Sequence, residues 1–280
     1  MNERKEEKSM YSKYHGCGND FILGVYDDKV NYEEFAIKYC NRYTGIGADG
    51  VILVKINPEN EVKHEMVFFN ADGTRAPMCG NGIRCLSKFL YDTGLQTEKE
   101  YKIDTLSGIM NINVISFEPY RVCINLGSPI FDSKKIDIDT EEETYLNKVI
   151  KVNNKEFNVS CVYMATHHLV TIVDSIENVE EKDGYGLCNY PQFTKKINVN
   201  FVEIIDRDNI KLKTYERGVG FTKACGTGGA ASYVILKGLE LINDKIKNHL
   251  EYGILEYEKN GNDIIMTGPS ELICNNIKTY

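Results

Sequence analysis

No apolar run in this 280-residue chain approaches the roughly 18–20 residues a membrane-crossing helix needs, so no membrane partner is expected. The opening residues, MNERKEEKSM, carry charge without an apolar stretch behind them. A secretory signal is therefore not expected, and residues 1–9 read as a solvated tail. The chain has no CxxC pair, and its 5 histidines form no metal-spaced cluster with the cysteines, which argues against a structural metal site. Positive charge is in deficit: 33 Lys and Arg against 41 Asp and Glu give a net charge of -8 and a pI near 5.3. Such a surface repels phosphate backbones, so a nucleic-acid partner is not expected either.

A hydrophobic content of 42% with 26% charged residues describes a globular chain rather than a disordered one. Its 9 cysteines are odd in number and scattered, which fits free thiols in a reducing cytoplasm better than a disulfide framework.

Two of those cysteines lie in matched surroundings. FNADGTRAPMCGNGIRC (69–85) aligns with YERGVGFTKACGTGGAASY (215–233) on Cys79 and Cys225, which are 225 − 79 = 146 residues apart. An aromatic, Phe69 or Tyr215, precedes each by ten positions, and a polar residue, Asn70 or Glu216, by nine. Gly80-Asn81-Gly82 and Gly226-Thr227-Gly228 follow, and each leads into a predicted helix. The repeat predicts two related halves.

Hydrophobic patterning fills in the halves. Strands are predicted at 21–25, 64–69, 101–105, 110–116, 120–126, 149–164, 169–173, 199–205 and 210–215, with helices at 31–42, 83–90 and 228–242. Apolar residues occupy nearly every side of the last helix, which places it inside a curled sheet. Asn260-Gly261 between two strand runs predicts a hairpin. The polar stretch Asp132–Tyr145 is the expected passage between halves.

A helix start offers backbone N–H groups without intrahelical partners and a partial positive charge, a setting that binds carboxylates and favours a thiolate. A lone Cys before Gly-x-Gly is more often a small buried turn residue. Two in matched contexts point instead to a paired function: one thiolate removes an α-proton while the other thiol protonates the opposite face. This scheme needs no cofactor. A silent amino-acid-binding protein and a redox switch built on the same pair are the alternatives from other classes.

At these residues the chain resembles the diaminopimelate epimerases, pyridoxal-phosphate-independent enzymes of lysine and peptidoglycan biosynthesis. HGCGNDF (15–21), GIGADG (45–50), FNADG (69–73), MCGNGIRC (78–85), YERGVG (215–220), ACGTG (224–228) and MTGP (266–269) carry the resemblance. It implies a mixed α/β fold of two pseudo-symmetric domains, each a curled sheet around a central helix, with the active site in the interdomain cleft. The expected boundaries are 10–128 plus 270–280 for the domain carrying Cys79 and 129–269 for that carrying Cys225.

The resemblance further implies Cys79 and Cys225 as the catalytic thiols, assisted by His168 and Glu216. Gly80, Asn81, Gly226 and Thr227 are implied to hold the reacting carboxylate, and Asn19 to line the pocket. Asn70, Asn198 and Arg217 are directed at the far amino-acid end. Thr166 stands in the substrate-binding position where Gly-Asn-Pro-His usually supplies asparagine, the local sequence here being Ala165-Thr166-His167-His168. Phe221 replaces the carboxylate of the usual GxGET, and a ring with an extra imidazole near the pocket would suit a different side chain. Diaminopimelate is the leading substrate, with histidine racemisation or lanthionine epimerisation as alternatives. A cytoplasmic location and a possible homodimer complete the expectations.

Overall fold

The computed structural model describes residues 10–279; the expected tail at 1–9 lies outside the described residues. The chain divides into two compact units. One runs to Val122 and resumes at Pro269, and the other is Cys123–Gly268.

The first unit contains β1 (Met10–Gly16), β2 (Asn19–Val25), α1 (Tyr32–Tyr39), β3 (Gly50–Ile56), β4 (His64–Asn70), β5 (Arg75–Ala76), α2 (Gly80–Asp92), β6 (Glu100–Asp104), β7 (Met110–Phe117) and the start of β8 (Tyr120–Asn125). The second contains β9 (Lys148–Val152), β10 (Lys155–Met164), β11 (Thr166–Ile172), α3 (Glu181–Cys188), β12 (Asn198–Ile204), β13 (Asn209–Glu216), β14 (Gly220–Thr222), α4 (Gly226–Gly238), β15 (Lys245–Leu250), β16 (Gly253–Asn260) and β17 (Asp263–Pro269). A 3-10 turn, Ile176–Asn178, precedes α3, and β18 (Glu271–Lys278) pairs with β1.

The duplication read from the cysteines extends to the strand pairing. In the first unit β1 is antiparallel to β2, β2 parallel to β3, β3 antiparallel to β4, β4 parallel to β6 and β6 antiparallel to β7. The second repeats that sequence of pairings through β10, β11, β12, β13, β15 and β16. The short β5 pairs with β4 and β14 with β13, so each cysteine leaves a hairpin just before its helix. Each sheet is mixed, with one helix in its curl and a shorter one outside.

The inner helices are α2, packed on β1, β2 and β3, and α4, packed on β10, β11, β12 and β16. Ala230, Ala231, Leu236 and Ser232 of α4 are fully buried. The outer helix α1, capped by the Asn31 side chain on the Glu34 N–H, covers Val51, Leu53, Val67 and Phe69. β3 is therefore buried on both faces, which explains its uninterrupted apolar sequence GVILV.

Three expectations change. Asp132–Tyr145 is no passage between halves: Ser133 N–H donates to the Glu143 carbonyl at 2.9 Å, and Ile136, Ile138 and Tyr145 enter the core of the second unit. The chain instead passes over at Val122/Cys123, within β8 rather than at 128/129. There Leu126 N–H bonds the Ile264 carbonyl at 2.9 Å and the Asn125 amide bonds Asp263 at 2.8 Å. The strand expected over 149–164 is a hairpin, because Asn153 and Asn154 take φ of 52° and 62°, the left-handed pair a tight two-residue turn requires. The Asn260-Gly261 hairpin forms as read. No helix among the described residues is long and apolar enough to cross a membrane.

Candidate active site

Both cysteines are helix N-caps. Cys79 (φ −138°, ψ 125°) and Cys225 (φ −121°, ψ 103°) leave the strand conformation just before α2 and α4, and each sulfur accepts the N–H of the glycine three residues on, Gly82 or Gly228, at 3.4 Å. A cysteine here takes the role usually filled by Ser or Asp, so its sulfur sits where the positive end of the helix is strongest. The glycines are needed for space. A Cβ on Gly82 would lie 2.5 Å from Ile52 Cδ1, and one on Gly228 would lie 2.2 Å from Asn200 Oδ1.

Around Cys79 the first unit gathers Asn19, Gly80 and Asn81. The Asn19 amide nitrogen donates to Asp49 at 2.6 Å, which turns its carbonyl oxygen toward Cys79 Sγ at 3.6 Å and the Asn81 amide at 3.1 Å. Asp49 is itself held by Arg42 at 2.7 Å, which also bonds Asp20. Burial pushes the Asp20 carboxyl up, but bonds from Arg42 and Lys13 outweigh it and hold the group below the usual carboxylate range. From the other side, fully buried Arg84 donates to the carbonyls of Gly80 and Pro269, each at 3.1 Å, and braces the first turn of α2. Asn70 is engaged elsewhere, donating to Thr74 Oγ1 at 2.9 Å in the turn after β4.

Around Cys225 the second unit gathers Glu216, Gly226, Thr227 and His168. Burial raises the Glu216 carboxyl above its ordinary value, against hydrogen bonds from Thr222 at 2.6 Å and from the Cys225 thiol. Thr227 Oγ1 lies 3.6 Å from Cys225 Sγ and 3.1 Å from His168 Nε2. His168 is fully buried, and burial, with Arg217 and His167 nearby, pushes its pKa down to about 3.

The tautomer of this neutral ring follows from its partners. The Asn200 amide nitrogen donates to the Leu169 carbonyl at 2.9 Å, which fixes the amide orientation and presents the same nitrogen to His168 Nδ1 at 3.1 Å. Nδ1 is then the acceptor, and the proton sits on Nε2, facing Thr227. Thr227, receiving that bond, retains a hydroxyl proton that can turn toward the sulfur 3.6 Å away.

The remaining residues form a second cluster in the same unit. Asn198 Oδ1 accepts the Arg217 backbone N–H at 3.0 Å, and Arg217 Nη2 donates to Thr166 Oγ1 at 3.0 Å. Thr166 opens β11 straight after a left-handed turn residue, Ala165, as Asn19 opens β2 after Cys17 and Gly18. Phe221 does not join either cluster. Its ring packs edge-on to Tyr215 at 5.4 Å, with Lys213 over it at 4.7 Å, on the core of the second unit.

Asp49, Arg84 and Asn200 support the site without having been singled out from sequence. Asp49 sits inside GIGADG, where a signal was available. Asn200 shares a strand face with Asn198 two residues earlier, and that alternation was its only trace.

Other proteins resemble this chain in sequence or in fold. The sequence pattern of the family described as diaminopimelate epimerase matches residues 11–131 and 160–273. Diaminopimelate epimerase from Alkaliphilus metalliredigens is 34% identical over 274 residues, covering 95% of this chain and 96% of that protein. The one from Halothermothrix orenii is 37% identical over 272 residues, covering 94% and 95%. Among solved structures, a PhzF-family phenazine biosynthesis protein from Bacillus anthracis superposes with a TM-score of 0.70 at 12% identity, covering 98% of this chain and 99% of that one. A hydroxyproline epimerase from Agrobacterium vitis does so at 0.66 and 12%, covering 98% and 92%, a likeness of fold. Because the sequence match spans both capped cysteines and nearly all of both units, the chain belongs to the diaminopimelate epimerase family, a family of isomerases.

Proposed function

We propose that the protein interconverts LL- and meso-diaminopimelate, inverting one α-carbon by a two-base reaction without pyridoxal phosphate. The observation that carries this reading is the duplicated cap: in each unit a hairpin delivers a cysteine to the N-terminus of a buried helix, with its sulfur held by the glycine N–H at 3.4 Å. Helix starts bind carboxylates, and the charge that develops on the reacting carboxylate as the α-proton leaves is stabilised by the same N–H groups. Gly80, Asn81, Gly226 and Thr227 supply them.

In this reading Cys225 gives its proton to Glu216, the acceptor its thiol already bonds, and the resulting thiolate keeps donors from the Gly228 N–H and the Thr227 hydroxyl. His168 serves by orienting Thr227; a buried neutral ring with its proton fixed on Nε2 is not the base. Cys79, facing the Asn19 carbonyl oxygen, is arranged as the thiol that delivers a proton. The roles exchange in the reverse direction, as reversibility requires.

Arg217 favours a substrate with a carboxylate at its far end, which supports diaminopimelate or lanthionine over histidine. Thr166 occupies the asparagine position but accepts a bond from Arg217 rather than leaving that cation loose. Incubation of the purified protein with LL-diaminopimelate, lanthionine and L-histidine in D2O, with α-deuteration followed by NMR, tests the assignment. Deuteration of diaminopimelate at the highest kcat/KM supports it, and exchange confined to histidine overturns the substrate while leaving the two-thiol chemistry in place.

A further inference from the structure

We propose that His167, backed by Asp137, is a positioning residue that sets the Arg217 guanidinium for the substrate's non-reacting carboxylate. The inference rests on the substrate reading above and names the part of the chain that tunes its specificity. His167 is buried at the start of β11, with Nδ1 3.5 Å from Arg217 Nη1 and Nε2 3.3 Å from Asp137 Oδ2. A guanidinium can only donate, so Nδ1 is the acceptor and Nε2–H points to the Asp137 carboxylate. Asp137 in turn holds Lys195 at 3.1 Å, and its carbonyl accepts the Thr194 backbone N–H at 3.2 Å and the Thr194 hydroxyl at 2.9 Å, which fixes the carboxylate in place.

The donors of Arg217 can be counted. A guanidinium has five N–H groups. The two on Nη1 go to His167 and to the Lys195 carbonyl at 3.2 Å, and one on Nη2 goes to Thr166. Five minus three leaves two, Nε–H and one on Nη2, the number a carboxylate needs for a two-point grip. Thr166, His167 and the Lys195 carbonyl together thus take the hydrogens whose release would let the guanidinium plane swing. The pair Thr-His stands where the family pattern has Asn-Pro, and proline has no side-chain acceptor to offer.

The same geometry makes the grip depend on pH. The charged groups facing His167 are Arg217 at the end of β13, Asp137 from the segment before β9, and Lys195 and Lys135; the Tyr163 ring of β10 closes the remaining side at 5.7 Å. Burial, reinforced by Arg217, holds the imidazole below its usual range despite Asp137. Once protonated, Nδ1 turns from acceptor to donor and confronts Arg217 with a like charge.

The test is steady-state kinetics of LL-diaminopimelate epimerisation from pH 5.5 to 8.5 for the wild type, His167→Ala and the acceptor-retaining His167→Gln, each checked for folding by circular dichroism. The expected result for His167→Ala is a KM raised about tenfold, the scale of one hydrogen bond to a charged group, with kcat within about twofold. His167→Gln is expected to recover part of the KM, and the acidic rise in KM of the wild type is expected to vanish in both variants. An unchanged KM in His167→Ala, or a fall confined to kcat, overturns the inference while the wild-type turnover leaves the substrate reading standing. A wild type that does not exchange the α-proton of diaminopimelate overturns both.

Discussion

His168 Nε2 donates to Thr227 Oγ1 across 3.1 Å, and through that hydroxyl a wholly buried imidazole acts on a sulfur it does not touch. In the proposed reaction His168, which the resemblance implies as an assistant to proton transfer, acts by aiming a hydroxyl. Its orientation is inherited from Asn200, whose amide is fixed by a backbone carbonyl.

Replacing Asn200 with leucine is therefore expected to lower kcat about fivefold, the equivalent of one neutral hydrogen bond of about 1 kcal/mol, with little change in KM. Steady-state kinetics with an NMR readout of the His168 tautomer checks this. A KM effect without a tautomer change would show that Asn200 acts by shaping the pocket instead.

Ionised Glu216 opposes folding. Its carboxyl pKa is raised by burial, so the folded state holds the proton more tightly than the unfolded chain, and the stability it contributes is present in acid and lost as pH rises through the folded value. Glu216→Gln is expected to melt at or above the wild-type temperature at pH 7.5 and alongside it near pH 4. Its activity is expected to fall by about 10²–10⁴, the range for loss of a proton-transfer group. Thermal melts at the two pH values, run with the exchange assay, separate the effects.

His168 carries the opposite sign. A folded pKa pushed down to about 3 gives stability that is present above the ordinary imidazole value and lost as pH falls toward 3. His168→Gln is expected to flatten the acid limb of the stability profile, measured by urea unfolding between pH 7 and 4; a limb as steep as the wild type's would place the acid-labile group elsewhere.

The two cap glycines are not equivalent. Alanine at 228 meets the Asn200 side-chain oxygen Oδ1 at 2.2 Å, on a side chain locked by its own hydrogen bonds, whereas the nearest atom to alanine at 82 is the end of the Ile52 side chain at 2.5 Å, with Cys79 Cβ next at 3.3 Å. Gly228→Ala is expected to cost about 1–3 kcal/mol and Gly82→Ala less, as overpacking does where a neighbour can turn aside. Chemical denaturation of both variants ranks them.

The features legible in sequence were those whose cause is local. A cysteine before Gly-polar-Gly announces a helix start because cap chemistry lies within four residues, and Asn260-Gly261 announces a hairpin for the same reason. The duplicated pairing order follows from the repeat. What escaped was set by contacts distant in sequence. Asp132–Tyr145 is polar enough to pass for a connection, yet Ile136 and Ile138 alternate into the core and carry Asp137 to His167. Phe221 looked like a change to the pocket because it follows the motif at Glu216; strand alternation turns it onto the core and leaves Thr222 to bond Glu216.

The central claim is that both capped thiols are required, one on each face of the same α-carbon. The most direct measurement is α-proton exchange of LL-diaminopimelate in D2O by the wild type, Cys79→Ala and Cys225→Ala, with the stereochemistry of the labelled product resolved. The account expects epimerisation to fall by at least about 10²–10⁴ in each variant, the range for removing one positioned acid or base. Epimerisation by either variant at near wild-type rate would contradict it.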